Sequence, residues 1–86
     1  MADETVAEIR RVLEQQARLP VSVDSIGAGD DLFEAGMSSH ASVNVMLGIE
    51  DAFDIEFPDA MLTREVFSSI DAIAGAVTRV RAETAA

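Results

Sequence analysis

The sequence predicts an all-α fold, a small antiparallel bundle of three main helices plus one short helix. Apolar residues recur at three- and four-residue steps in three separate stretches, the spacing of helices with one buried face. No run shows the sustained apolar–polar alternation of a sheet. The length of 86 residues allows one domain over 1–86, with an ordered core expected from about residue 4 to residue 80. A chain this short buries only somewhat above ~60% of its unfolded surface, so the core is small.

The first helix is expected over residues 4–17. Val6, Ile9, Val12 or Leu13, and Gln16 or Ala17 mark its buried stripe, with Asp3 or Glu4 near its positive end. Leu19-Pro20 should stop it. Residues 20–38 then form a connection long enough to be functional or pinned by its own side chains. Val21, Val23, Ile26, Leu32 and Phe33 are the expected pins, and residues 30–33 suit the start of a short helical turn.

The second helix is the centre of the chain. Gly36 closes an acidic, irregular loop, and Ser38 and Ser39 follow where an N-cap hydroxyl belongs. Residues 39–53 read as one helix, about 22 Å long at 1.5 Å per residue. Asp54-Ile55-Glu56-Phe57-Pro58 ends it, because a residue before proline is pushed out of the helical region. Ser42, Val45, Met46, Ile49 and Phe53 form one apolar face suited to a core. Val43 and Leu47 fall on a neighbouring stripe with Ser39, Glu50 and Asp51. That stripe is either further core or a surface for a partner, and periodicity does not choose. Gly48, in mid-helix, costs about 0.5–1 kcal/mol relative to alanine; close approach by another backbone would account for it.

After Pro58, residues 59–66 suit one or two helical turns with Asp59 as a cap, and Phe67 should point inward. Ser68-Ser69 caps the third main helix, whose stripe is Ile70, Ile73, Ala74, Val77 and Val80. Residues 81–86 are expected to fray.

Sixteen acids against six bases give a formal charge of −10. Such a surface repels nucleic acid and anionic lipid and steers toward basic partners. There is no cysteine, hence no disulfide framework or thiolate metal site. The apolar runs are far shorter than the ~20 residues of a membrane span, and the acidic start lacks the basic region of a signal peptide. A cytoplasmic monomer that binds neither nucleic acid nor membrane is expected.

Two constellations invite chemistry and fail on geometry. Ser39 and His40 are adjacent on a helix, so they point about 100° apart, and a working dyad also needs a third group and an oxyanion site. The clusters Asp30, Asp31, Glu34 and Asp51, Asp54, Glu56 lack the ligand order of a calcium loop. Solvated acids are the simpler reading, with no catalytic residue and no metal.

Residues 32–40, Leu-Phe-Glu-Ala-Gly-Met-Ser-Ser-His, and residues 47–58, Leu-Gly-Ile-Glu-Asp-Ala-Phe-Asp-Ile-Glu-Phe-Pro, resemble the acyl and peptidyl carrier proteins. In that family the serine of a Gly-x-Asp-Ser-Leu motif carries 4′-phosphopantetheine, with a Glu-Glu-x-Phe-like helix end and an Ile-Pro-like turn downstream. Counting back from Phe53 by the family's spacing lands on Ser39. The resemblance runs from about Val6 to Val77. Ser38 stands at the family's aspartate and His40 at its leucine. Ser-Ser followed by Ala-Ser-Val is closer to a subgroup, the aminoacyl carrier proteins, which are loaded by stand-alone ligases related to seryl-tRNA synthetases.

The resemblance implies a protein that is not an enzyme. It would hold a small amino acid, such as glycine or alanine, as a thioester on a 4′-phosphopantetheine arm at Ser39. A phosphopantetheinyl transferase would attach the arm, an amino acid:carrier protein ligase would charge it, and a downstream acceptor enzyme would take the cargo. A serine at a helix start suits a phosphate, because the free N–H groups and the dipole favour one there. Capping is the plainer role for such a serine, and both hold if Ser38 caps while Ser39 is modified. Partners are expected on Val43, Leu47, Glu50 and Asp51, with Ser38 and His40 beside the arm. Asn44 stands where an acid is common, which argues against the basic grooves of fatty-acid synthase enzymes. The alternatives are an acyl carrier for fatty acid or polyketide assembly, and an unmodified helical interaction module that binds through Val43 and Leu47.

Overall fold

Both apolar candidates at the ambiguous position of the first helix turn inward: Val12 and Leu13 are each buried, with Ile9 and Ala17, while Gln16 is half-buried. The computed structural model describes residues 2–85. Its helices are α1 (Ala2–Gln16), α2 (Ser39–Phe53) and α3 (Ile70–Ala85). α1 packs against both of the others. The expected short fourth helix is reduced to a single 3-10 turn, Asp59–Met61, and a second such turn lies at Val23–Ser25. Among the described residues no helix is long and apolar enough to cross a membrane.

α1 starts two residues earlier than expected, and the side chain of Asp3 lies outside the described residues. The helix ends at Gln16, where Arg18 adopts a left-handed conformation (φ 52°). The stop therefore precedes Pro20 and resembles a left-handed C-terminal cap. The connection is then pinned from α1 itself: Arg10 Nη1 donates to the carbonyls of Val23 and Ile26, both at 2.8 Å. Val23, Ile26 and Leu32 are buried as expected, and Phe33 is half-buried. Val21 is not a pin. It is 46% exposed, because the turn at Val23–Ser25 directs only Val23 and Ile26, three apart, toward the core.

Residues 32–36 make the expected turn. Asp31 Oδ1 accepts from the N–H groups of Phe33 (2.8 Å) and Glu34 (3.2 Å). Leu32 N–H donates to Ser68 O and Asp71 N–H to Ala28 O, which ties this loop to the start of α3. Gly36 has φ +121°, and a Cβ there would stand 2.7 Å from Pro20 Cδ, so both conformation and space demand glycine.

α3 is capped by Ser69, whose Oγ accepts from Ala72 N–H at 3.0 Å. Ile70, Ile73, Val77 and Val80 are buried, Ala74 is half-buried, and Ala76 joins the core. The helix extends through Arg81 to Ala85, and residue 86, the last of the stretch expected to fray, lies outside the described residues. Buried Val80 anchors its last turns, and Arg79 pairs with Glu83 across one turn at 3.6 Å. Phe67 points inward as expected and meets Phe57 edge-on, ring centroids 5.5 Å apart. Asp59 does not cap its turn: Pro58 holds that position with no side-chain bond.

Candidate functional site

Three serines open α2, and their hydroxyls do different things. Ser38 is the N-cap, in extended conformation (φ −81°, ψ 163°), and its Oγ accepts from Ala41 N–H at 3.0 Å. Ser42 Oγ donates back to Ser39 O at 2.6 Å. Ser39, the first helical residue, is exposed, and its hydroxyl has no hydrogen-bond partner among the described residues. Two hydroxyls are thus committed to the backbone, and the one between them is open.

Ser39 lies on the wall of a cleft of about 330 Å³. Val43 and Met46 continue that wall along α2, and Leu62, Thr63 and Arg64 form the opposite side. The Arg64 guanidinium sits over the ring of Phe33, 4.0 Å from its centroid. His40 lines a different cleft, with Gln16 and Arg18. The adjacent Ser39 and His40 therefore serve different sides of the helix start, as their angular separation requires.

The two stripes of α2 part company. Val45 and Ile49 are fully buried, and Ala41 joins them. Ser42, Met46 and Phe53, expected on the core face, are only half-buried, so that face is narrower than its spacing suggests. Val43 and Leu47 are 51% and 53% exposed. The second stripe is surface, not further core, and Asp51 is exposed beside it.

Glu50, expected on the docking stripe, also has a partner within the chain. It is half-buried, and its Oε2 accepts from Phe57 N–H at 2.8 Å. Asp54 in left-handed conformation (φ 53°) ends the helix, its N–H bonded to Glu50 O. The end of α2 is therefore set four residues before Pro58. Gly48 also finds its reason, though in a side chain rather than a backbone. A Cβ there would stand 2.7 Å from Val12 Cγ1 and 3.3 Å from Gln16 Cγ.

The cleft's far wall was not anticipated from sequence. Leu62 and Arg64 fall in residues 59–66, where the sequence suggests only helical turns and a cap at Asp59. One signal was available: Arg64 is the only Arg or Lys between Arg18 and Arg79, in an otherwise acidic neighbourhood.

The family model described as "Phosphopantetheine attachment site" matches residues 7–77. The aminoacyl carrier protein of Agrobacterium fabrum (strain C58) is 57% identical over 67 residues, which are 78% of this chain and 81% of the relative. A crystal structure of an engineered Bradyrhizobium japonicum glycine:[carrier protein] ligase, complexed with a carrier protein from Agrobacterium tumefaciens and ATP, contains a chain 51% identical to this one. It superposes with a TM-score of 0.87, covering 88% of this chain and 99% of that one. A solution structure of an Agrobacterium tumefaciens protein is 50% identical with a TM-score of 0.73, covering 94% and 99%.

Proposed function

The chain belongs to the phosphopantetheine-attachment family, and from that premise we propose that it is an aminoacyl carrier protein with its arm on Ser39 Oγ. The observation that carries the assignment to Ser39 is the division of roles between adjacent hydroxyls. Ser38 is occupied in capping and Ser39 is open. The surroundings suit a phosphodiester. The N–H groups of Ser39 and His40 belong to the first turn and have no intrahelical acceptor, so they favour an anion at the helix start.

When attached, 4′-phosphopantetheine supplies a thiol that holds the amino acid as a thioester, in a chain with no cysteine of its own. The protein's residues present and orient the arm and do no bond-making. Val43 and Leu47, with Asp51 and His40 nearby, offer the loading enzymes an exposed apolar strip beside the arm. A phosphopantetheinyl transferase attaches the arm, and an amino acid:carrier protein ligase charges it. The similar Agrobacterium tumefaciens carrier, found in complex with a glycine:[carrier protein] ligase, supports this partner class and makes glycine the first cargo to test. The whole chain acts as one carrier domain in the cytoplasm, where the coenzyme A and ATP used in loading are available.

The test is charging of the arm-bearing protein by such a ligase with ATP and separate small amino acids, read by intact mass. A mass gain with an amino acid is expected. Charging only by an acyl ligase with fatty acids would contradict the aminoacyl reading and favour an acyl carrier.

A further inference from the structure

Among the described residues Arg64 has no carboxylate partner, in a chain with sixteen acids. Among the described residues the ion pairs are Arg11–Glu8 and Arg79–Glu83, and Arg10 is engaged with two carbonyls. Arg64 instead lies over Phe33 at 4.0 Å. A guanidinium placed over a ring face gains cation–π attraction, and its N–H donors stay available at the edge of its plane. The residue is exposed, yet stacking restrains where its charge sits. It lines the same cleft as Ser39.

We propose that Arg64 is a positioning residue that pairs with the phosphodiester on Ser39 and lays the start of the arm along the cleft between α2 and residues 62–67. This rests on the reading of Ser39 as the attachment point. The charges are complementary: a phosphodiester carries one negative charge and acceptor oxygens, and a guanidinium presents donors in a fork that matches them. The cleft continues from Ser39 past Val43 and Met46, with Leu62 opposite. Beyond the phosphate it therefore offers apolar wall to the uncharged part of the arm. The Thr63 hydroxyl already accepts from Val66 N–H at 3.3 Å and can still donate toward the cleft.

The full-length chain is loaded with the arm by a phosphopantetheinyl transferase and coenzyme A, and intact mass with a Ser39→Ala control establishes attachment. If the wild type gains no arm, or Ser39→Ala still gains it, the reading of Ser39 fails and this proposal with it. With the arm on Ser39, the readouts are the 31P resonance and the amide differences between arm-bearing and arm-free protein. Those differences should extend from Ser39 to Met46, Leu62 and Thr63. Arg64→Gln, in a variant of unchanged melting temperature, should shift the 31P resonance toward that of free phosphopantetheine. It should also confine the amide differences to the immediate neighbours of Ser39. Arg64→Lys should restore part of the effect. Raising salt on the wild type should mimic Arg64→Gln, since the Debye length falls from about 8 Å at physiological ionic strength to about 3 Å at 1 M. A 31P resonance and amide pattern indifferent to Arg64→Gln would overturn the proposal and leave Ser39 as the attachment point intact.

Discussion

The Glu50 carboxylate accepts the Phe57 N–H at 2.8 Å, so a side chain from the last turn of α2 holds the segment that leaves it. A hydrogen bond to a charged group contributes about 1.5–3 kcal/mol, and half-exposure places this one toward the lower end. Glu50→Ala should lower the urea midpoint accordingly. Glu50→Gln, which keeps an acceptor oxygen, should lose less. Equal midpoints for wild type and Glu50→Ala would return Glu50 to the free surface.

Gly48 and Val12 make the second structural prediction. Alanine at a helical glycine normally gains about 1 kcal/mol, but here its Cβ would stand 2.7 Å from Val12 Cγ1. Overpacking of this kind costs about 1–3 kcal/mol, so Gly48→Ala should destabilise or at best break even. Val12→Ala should remove the clash, and a double-mutant cycle should show favourable coupling of about 0.5–3 kcal/mol. Simple additivity would mean that α1 and α2 do not meet at this point.

The faces of α2 are separable by mutation. Ile49 is fully buried, and Ile49→Ala should cost about 2–5 kcal/mol. Leu47 is 53% exposed, and Leu47→Ala should cost well below that range. If the ligase docks on this strip, Leu47→Ala should weaken its binding, because one apolar anchor can dominate a small interface. Ile49→Ala should leave the affinity of the folded fraction nearly unchanged. Thermal melts and ligase binding on both variants check the assignment.

The contrast between these residues marks how far the sequence could be read. Val45 and Ile49 were legible as core because spacing and apolar character agreed. Val43 and Leu47 were legible as a stripe, but whether a stripe faces core or solvent depends on what packs against it. The glycine at 48 was legible as an anomaly, and its cause, Val12, lies 36 positions away on another helix. The bond of Glu50 to Phe57 N–H was not legible, because an acid on an exposed-looking stripe gives no local sign that a later N–H needs it. Arg64 was overlooked because its partner ring, Phe33, comes from the other side of α2 in sequence.

At the start of α2, capping and modification should separate cleanly. Ser38→Ala removes the acceptor for Ala41 N–H and should cost about 0.5–2 kcal/mol, while the protein still takes the arm. Ser39→Ala removes no hydrogen bond among the described residues, and its melting temperature should stay close to wild type. A Ser39→Ala variant that melted as low as Ser38→Ala would assign the capping wrongly.

Whether Ser39 carries the arm is decided by peptide mapping. The intact chain is incubated with coenzyme A and a phosphopantetheinyl transferase, digested, and the peptide spanning residues 37–43 is sequenced by tandem mass spectrometry. One arm per chain is expected, with the fragment-ion mass step at Ser39 and none at Ser38 or Ser42. A step at Ser38, or no modified peptide at all, would contradict it.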